Sequence, residues 1–220
     1  FDENGLNYRL ERVDFPTGTV QVTLDENKVP SYNIMEGVAW DNIPMTPELE
    51  ALARDCRAVC FGSLAQRSAV SRATINAFID MMPEDSLKIF DINLRQHYYT
   101  EEIICDSMKK ADILKINDEE ILVVAQLLDV TEKSEREICK VLLDKFDLRM
   151  VILTCGDRGS YVLTRDESSW VDTPKVSVVS TVGAGDSFTG TFIASILLGK
   201  TLRQAHEAAV KVSAYVCTCQ

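Results

Sequence analysis

The spacing of apolar residues divides the chain into a short β-rich beginning and a longer region of mixed strands and helices. Apolar and polar residues alternate from Val20 to Leu24, and the pattern resumes at Ser31–Ile34 after a polar Asp-Glu-Asn-Lys run. This alternation predicts an antiparallel hairpin with one polar face. We expect residues 1–42 to form a small β element and residues 43–220 to form an α/β domain.

Apolar runs and amphipathic patterns alternate along the rest of the chain. The apolar runs predict strands at 57–63, 87–93, 112–117, 149–156, 159–164 and 175–180. The 3.6-residue patterns predict helices at 46–56, 68–81, 101–110, 118–128, 134–146, 186–199 and 201–217. Such alternation is typical of a largely parallel sheet covered on both faces, with ligands bound beyond the carboxyl ends of the strands.

Composition narrows the class of protein. The 34 acidic and 23 basic residues give a net charge of −11, which disfavours nucleic acid as a partner. The longest apolar run, Phe192–Leu198, is far shorter than the ~20 residues of a membrane span, and the first residues lack a signal-peptide pattern. Seven cysteines without a CxxC pair favour reduced thiols over disulfides or a zinc site. We therefore expect a cytoplasmic protein without membrane partners.

The stretch STVGAGDSFTG, residues 180–190, joins a predicted strand to a predicted helix. Small residues at Gly183, Ala184 and Gly185 would let an anion approach the free N–H groups of the first helical turn. Asp186 lies beside these groups, where it could orient or deprotonate a hydroxyl during phosphoryl transfer. On the residues alone, an ordinary first-turn carboxylate preceded by turn glycines is an equally good interpretation.

This stretch resembles the C-terminal signature of the ribokinase-like carbohydrate kinases, the family of ribokinase, fructokinase and 2-keto-3-deoxygluconate kinase. Three further segments resemble motifs of that family in the same order: FDINLR at 90–95, LKINDEE at 114–120 and LTCGDRGS at 153–160. The resemblance implies a ribokinase-like α/β fold with a small antiparallel β lid. It also implies an ATP-dependent transferase that moves the γ-phosphoryl group to a sugar hydroxyl.

The resemblance also implies roles for individual residues. Asp186 is the expected catalytic base, with Gly183, Ala184 and Gly185 as the anion cradle. The expected nucleotide-binding residues are Asn117, Glu120, Thr154, Gly156, Gly159 and Thr181. Glu120 is expected to reach Mg²⁺ through water, and the expected sugar contacts are Asn93, Arg95 and Asp186.

Simpler interpretations of several of these residues stay open. Asn117 and Glu120 also fit a reciprocal helix cap, and both roles can hold together. Gly156 and Gly159 also fit a hairpin turn, and Arg95 fits a solvated surface charge.

Substrate and assembly follow from the resemblance alone. Fructokinase is the preferred interpretation, and a 2-keto-3-deoxygluconate kinase or a ribokinase-type sugar kinase is the alternative. A non-catalytic nucleotide- or sugar-binding relative is the alternative from another class. The β lid is expected to mediate a homodimer. Ser180 replaces the aspartate that the family links to monovalent cations, so potassium dependence is not implied. We also expect the N-terminal strand region and the C-terminal end of the family to be missing.

Overall fold

The computed structural model describes residue 5 and residues 7–24, 30–132 and 134–219. The chain divides into two compact units. The first comprises Phe1–Cys56 with Leu64–Pro83, and the second comprises Arg57–Ser63 with Glu84–Gln220. The expected division into 1–42 and 43–220 remains a prediction.

The first unit contains a hairpin and two helices. Strands β1 (Val20–Leu24) and β2 (Pro30–Ile34) pair antiparallel, as predicted, while the expected polar turn falls outside the described residues. Helix α1 (Pro47–Asp55) begins with the side chain of Thr46 accepting the Leu49 N–H, and helix α2 (Ala69–Met81) follows. Two short 3₁₀ helices, Ala39–Asp41 and Leu64–Arg67, lie before α1 and α2.

The 3₁₀ segments of this unit are joined by a buried ion pair. The Arg67 guanidinium donates to both Asp41 carboxylate oxygens at 2.8 and 2.9 Å and lies 4.1 Å from the centre of the Trp40 ring. This arrangement holds the two segments together.

The second unit is built on a six-stranded sheet with the order β3-β4-β5-β6-β7-β8. Its strands are β3 (Ala58–Phe61), β4 (Leu87–Asp91), β5 (Ile113–Asn117), β6 (Met150–Thr154), β7 (Ser160–Leu163) and β8 (Ser168–Val171). The first four strands are parallel, and the last three pair antiparallel. The predicted mostly parallel sheet is therefore confirmed.

Five helices pack on this sheet: α3 (Glu101–Lys110), α4 (Asp118–Leu127), α5 (Glu135–Lys145), α6 (Ala184–Leu197) and α7 (Leu202–Val216). Helices α6 and α7 bury one face, where Ile89, Ile113 and Ile152 meet Phe188 and Phe192. Helices α3, α4 and α5 contact β4, β5 and β6. Because side chains alternate along a strand, residues 89, 91, 113, 115 and 117 all face α6 and α7.

One predicted strand is wrong, and one observed strand was not predicted. Residues 175–180 are not a strand, because they pair with no neighbouring strand; the N–H groups of Val179 and Ser180 donate instead to the carbonyl of Cys217. Strand β8 was not predicted, since only Trp170 and Val171 mark it as apolar.

Candidate active site

The carboxyl ends of β4, β5 and β6 lie at one edge of the parallel sheet, where ligand sites of such sheets form. The register pairs Asp91 with Lys115 and Asn117 with Thr154. Sequence motifs that lie far apart in the chain therefore meet at this edge.

Asn117 and Glu120 form the helix cap that the sequence allowed. The Asn117 side chain accepts the N–H groups of Glu119 and Glu120, and the Glu120 carboxylate accepts the Asn117 N–H at 3.1 Å. The other Glu120 oxygen accepts the Leu94 N–H at 2.9 Å. Glu120 is buried, so this carboxylate fixes the loop after β4 to the start of α4.

Gly156 and Gly159 lie in the tight turn between β6 and β7. Gly159 has φ +138°, and a Cβ there would lie 2.6 Å from Trp170 Cζ2, so only glycine fits. Arg158, between the two glycines, donates to Asp118 and Glu135 at 2.9 Å each. The turn is thereby tied to the first residue of α4.

Helix α6 begins two residues before its predicted start, at Ala184, after Gly183 at φ +79°. The Ala184 N–H donates to the Thr181 carbonyl at 3.2 Å. The N–H groups of Gly185 and Asp186 have no acceptor in the described part of the chain, and the Asp186 side chain is exposed. Two helix amides and one carboxylate are thus available to a ligand at this end of α6.

Ser180 shapes the approach to this helix. Its hydroxyl accepts the Val182 N–H at 3.2 Å, the same type of turn bond that an aspartate side chain makes. Ser180 therefore stabilises the turn that leads into α6 through its own side chain.

A cavity of about 830 Å³ connects these segments, and it joins most of the predicted nucleotide residues. Its wall includes Asn117, Thr154, Gly156, Gly159, Thr181, Ala184 and Gly185. Apolar residues of the wall include Val176, Val178, Phe188, Val210 and Ala214, and charged residues include Asp118, Glu119, Asp157 and Lys175. The size and the mixture of apolar wall and backbone amides suit a nucleotide-sized ligand.

Asn93 and Arg95 lie after β4 and are not part of this cavity wall. Asn93 and Gln96 adopt left-handed φ values of 46° and 48°, which places local strain at the end of this strand. The Arg95 guanidinium donates to the Leu94 carbonyl at 2.9 Å and is exposed. Their contact with a sugar remains a prediction.

Sequence reasoning assigned no role to three polar residues near the start of α6: Asp91 on β4, Lys115 on β5 and Thr189 on α6 itself. Lys115 Nζ lies 3.0 Å from Asp91 Oδ1, and the hydroxyl of Thr189 donates to Asp91 Oδ2 at 2.9 Å. A lysine inside the buried strand ILKIN was the available signal, because buried lysines require a partner.

The donor set suits Mg²⁺ held mainly by phosphate and water. Among the residues that the structure describes, no three His, Cys, Asp or Glu side chains cluster as a metal cage. Mg²⁺ ordinarily uses one or two carboxylates with substrate phosphates and water, and Glu120, with both oxygens already accepting amides, fits an outer position.

None of the helices in the described residues has the length and hydropathy needed to cross a bilayer.

The fold and this site define an α/β protein in which two helix amides without an acceptor in the described residues lie next to a nucleotide-sized cavity. The pfkB family carbohydrate kinase profile matches residues 1–220. The chain belongs to the pfkB family of carbohydrate kinases.

Individual relatives are similar at modest identity. The chain is 29% identical over 212 residues to an ATP-dependent 6-phosphofructokinase of Thermoanaerobacterium thermosaccharolyticum, covering 94% of this chain and 63% of the relative. It is 24% identical over 203 residues to a fructokinase of Vibrio alginolyticus, covering 89% and 64%. The chain thus spans less than two thirds of the length of these curated relatives.

Solved structures show the same fold. A sugar kinase of Pyrococcus horikoshii in complex with ATP superposes with a TM-score of 0.79 at 25% identity, covering 100% of this chain and 71% of that one. A ribokinase of Thermotoga maritima gives 0.74 at 21% identity, covering 94% and 65%. The predicted fold class is confirmed.

Proposed function

We propose that the protein is an ATP-dependent carbohydrate kinase that transfers the γ-phosphoryl group to a sugar hydroxyl. The observation that carries the proposal is the start of α6, where the unbonded N–H groups of Gly185 and Asp186 adjoin the exposed Asp186 carboxylate. Helix amides of this kind stabilise phosphate charge. The cavity that includes Gly185, Thr154 and Asn117 would hold the nucleotide.

In this mechanism Asp186 accepts the proton of the sugar hydroxyl as its oxygen attacks the γ-phosphorus. The bond between that phosphorus and the β–γ bridging oxygen breaks, and ADP leaves with the electron pair. The amides of Gly185 and Asp186 stabilise the charge on the transferring group. Mg²⁺, held with Glu120 through water, would neutralise phosphate charge. Thr181, Gly183 and Ala184 shape the cradle.

Fructose is the proposed acceptor, on the similarity to proteins named fructokinase. A phosphorylated hexose is a second candidate, favoured by the 29% identity to a protein named ATP-dependent 6-phosphofructokinase. Arg95, whose guanidinium suits phosphate or carboxylate oxygens, also keeps 2-keto-3-deoxygluconate among the candidates. ADP release measured with fructose, fructose 6-phosphate, 2-keto-3-deoxygluconate and ribose separates these acceptors.

Asp186→Asn tests the base assignment. We expect kcat to fall by about 10²- to 10⁴-fold while ATP affinity is retained, because only proton transfer is lost. Asp166 is an exposed carboxylate in the turn between β7 and β8, so Asp166→Asn is the matched control. Undiminished turnover in Asp186→Asn would remove the base assignment, and ATP binding without turnover by the parent protein would favour a non-catalytic relative.

We also propose that the β1–β2 hairpin forms a homodimer. Val20 and Val22 on β1 are 53% and 55% exposed, which is typical of a surface that another molecule covers. Analytical ultracentrifugation of the parent and of Val20→Lys/Val22→Lys tests this proposal. A monomeric parent would contradict it.

A further inference from the structure

A buried ion pair lies directly beneath the first turn of α6. Lys115 is the central residue of β5 and Asp91 the last residue of β4, and their side chains are 11% and 13% exposed. Lys115 Nζ and Asp91 Oδ1 are 3.0 Å apart. The two residues are direct partners in the strand register, so the sheet itself fixes the pair.

This ion pair contacts α6 through Thr189 and lies close to Gly185. The hydroxyl of Thr189 lies 2.9 Å from Asp91 Oδ2 and 3.1 Å from the Gly185 carbonyl, one helical turn away. A Cβ on Gly185 would lie 3.2 Å from Lys115 Nζ. The ammonium therefore occupies the space that a side chain at position 185 would need.

A contribution to folding stability does not by itself explain why this ion pair is present. Replacing a buried ion pair with well-packed apolar side chains is often neutral or stabilising, whereas removing one partner is costly. The value of the pair is geometric, because it connects two rigid strands to the turn that presents the unbonded amides. Displacements of about 1 Å at such groups can lower turnover by ~100-fold.

We infer that Lys115 and Asp91 are positioning residues, which act through Thr189 and Gly185 to hold the amides of Gly185 and Asp186 against the phosphoryl group. This inference rests on the proposed kinase function. The pair supports the cradle from below and does not itself touch the substrate.

Kinetics and stability together separate positioning from a purely structural role. Lys115→Met should lower kcat by about 100-fold and change the KM for ATP by less than about threefold, because the nucleotide cavity remains. Asp91→Asn/Lys115→Met should recover the stability that Lys115→Met loses, since no unpaired charge is buried, but kcat should stay low. If kcat recovers together with stability in the double variant, the positioning role is wrong.

Conservative replacements give a second kinetic test. Thr189→Ser keeps the hydroxyl and should retain kcat, whereas Thr189→Val should lower it by about tenfold at the same ATP affinity. Lys109→Met breaks an exposed ion pair with Asp106 on α3 and should change neither kcat nor KM. Equal kcat values for Thr189→Val and Thr189→Ser would also overturn the inference.

An NMR measurement on the full chain tests positioning without turnover. ATP should shift the amide resonances of Gly185 and Asp186 in the parent, and these shifts should fall by more than half in Lys115→Met while resonances near Val178 still respond. Unchanged shifts in the variant, or none in the parent, would overturn the inference. A parent that shows these shifts but no turnover with any sugar would refute only the kinase proposal.

Discussion

Acid should destabilise this protein through His206, which is fully buried between α7 and the antiparallel strands. Its Nε2 lies 2.7 Å from the Ser160 hydroxyl, and its Nδ1 lies 2.9 Å from the Ser169 hydroxyl. Burial, with a smaller contribution from the Arg203 charge, lowers the pKa of His206 to about 4 from an ordinary value of 6.5. The folded ring therefore stays neutral at pH values where the unfolded chain is already protonated.

The direction and size of the effect follow from proton linkage. Between pH 6.5 and pH 4 the unfolded state binds about one more proton at His206, so acidification favours unfolding. The full difference corresponds to about 3 kcal/mol at 1.36 kcal/mol per pKa unit. Between pH 7.5 and pH 5.0, about 2 kcal/mol of it should be lost.

Urea unfolding followed by circular dichroism at these two pH values measures the loss, and replacing His206 isolates it from the titration of carboxylates. His206→Gln should lose about 2 kcal/mol less than the parent over this interval. The chain has two histidines, so His97→Gln, at an exposed position, is the matched control and should behave like the parent. Equal pH dependence in His206→Gln and the parent would refute the reasoning, as would an imidazole NMR signal of His206 that titrates near 6.5.

Three further predictions concern the site edge. Gly159→Ala should lower the free energy of unfolding by about 3 kcal/mol, because its Cβ would lie 2.6 Å from Trp170. Gly190→Ala, where the Cβ would enter open space, is the control. If urea unfolding shows that Gly159→Ala loses less than about 1 kcal/mol, the prediction is wrong. Glu120→Gln should lower the free energy of unfolding by about 2 kcal/mol in the same assay and raise the KM for ATP. The reason is that the amide nitrogen of glutamine cannot accept a hydrogen bond from a backbone N–H. Desolvation by the surrounding protein and the Asp91 carboxylate raise the pKa of Cys60, an exposed residue, to about 11. The rate of its alkylation, followed by mass spectrometry, should therefore still increase above pH 9. A rate that levels off by pH 9 would contradict that value.

Much of the fold was predictable because local chemistry and tertiary packing agree. Thr46, Thr201 and Asn117 are N-caps whose side chains accept first-turn amides, and each lies where the sequence placed a helix start. The segment 175–180 has the apolar alternation of a strand but follows β8 in the chain and pairs with no strand. The apolar pattern identifies which face of a segment can be buried. A strand also needs a neighbouring strand to pair with, and whether one is present depends on the whole fold.

The candidate site was predictable only in part, for a similar reason. The resemblance to the family's motifs identified Asn117, Gly156, Gly159 and Gly185, which lie on the wall of one cavity, and Glu120 and Asp186, which are not among its lining residues. The position of Lys115 inside an apolar strand indicated that it needs a partner, but the local sequence does not reveal which residue that partner is. Its pairing with Asp91 depends on strand register across 24 residues of sequence, which no local pattern encodes.

The start of α6 shows why the hydroxyl residues of this region matter for the proposed chemistry. The Ser213 and Ser187 hydroxyls both donate to the Ala184 carbonyl at 2.9 Å, and the Thr189 hydroxyl approaches the Gly185 carbonyl. These contacts fix the Ala184 and Gly185 carbonyls. Each carbonyl shares a peptide group with the next N–H, so the N–H groups of Gly185 and Asp186 are held in place and stay available to a ligand. An anion site needs amides that are fixed before the ligand arrives, because reorientation during the reaction would cancel part of their stabilisation. Side chains that never touch the substrate can therefore set the strength of the cradle.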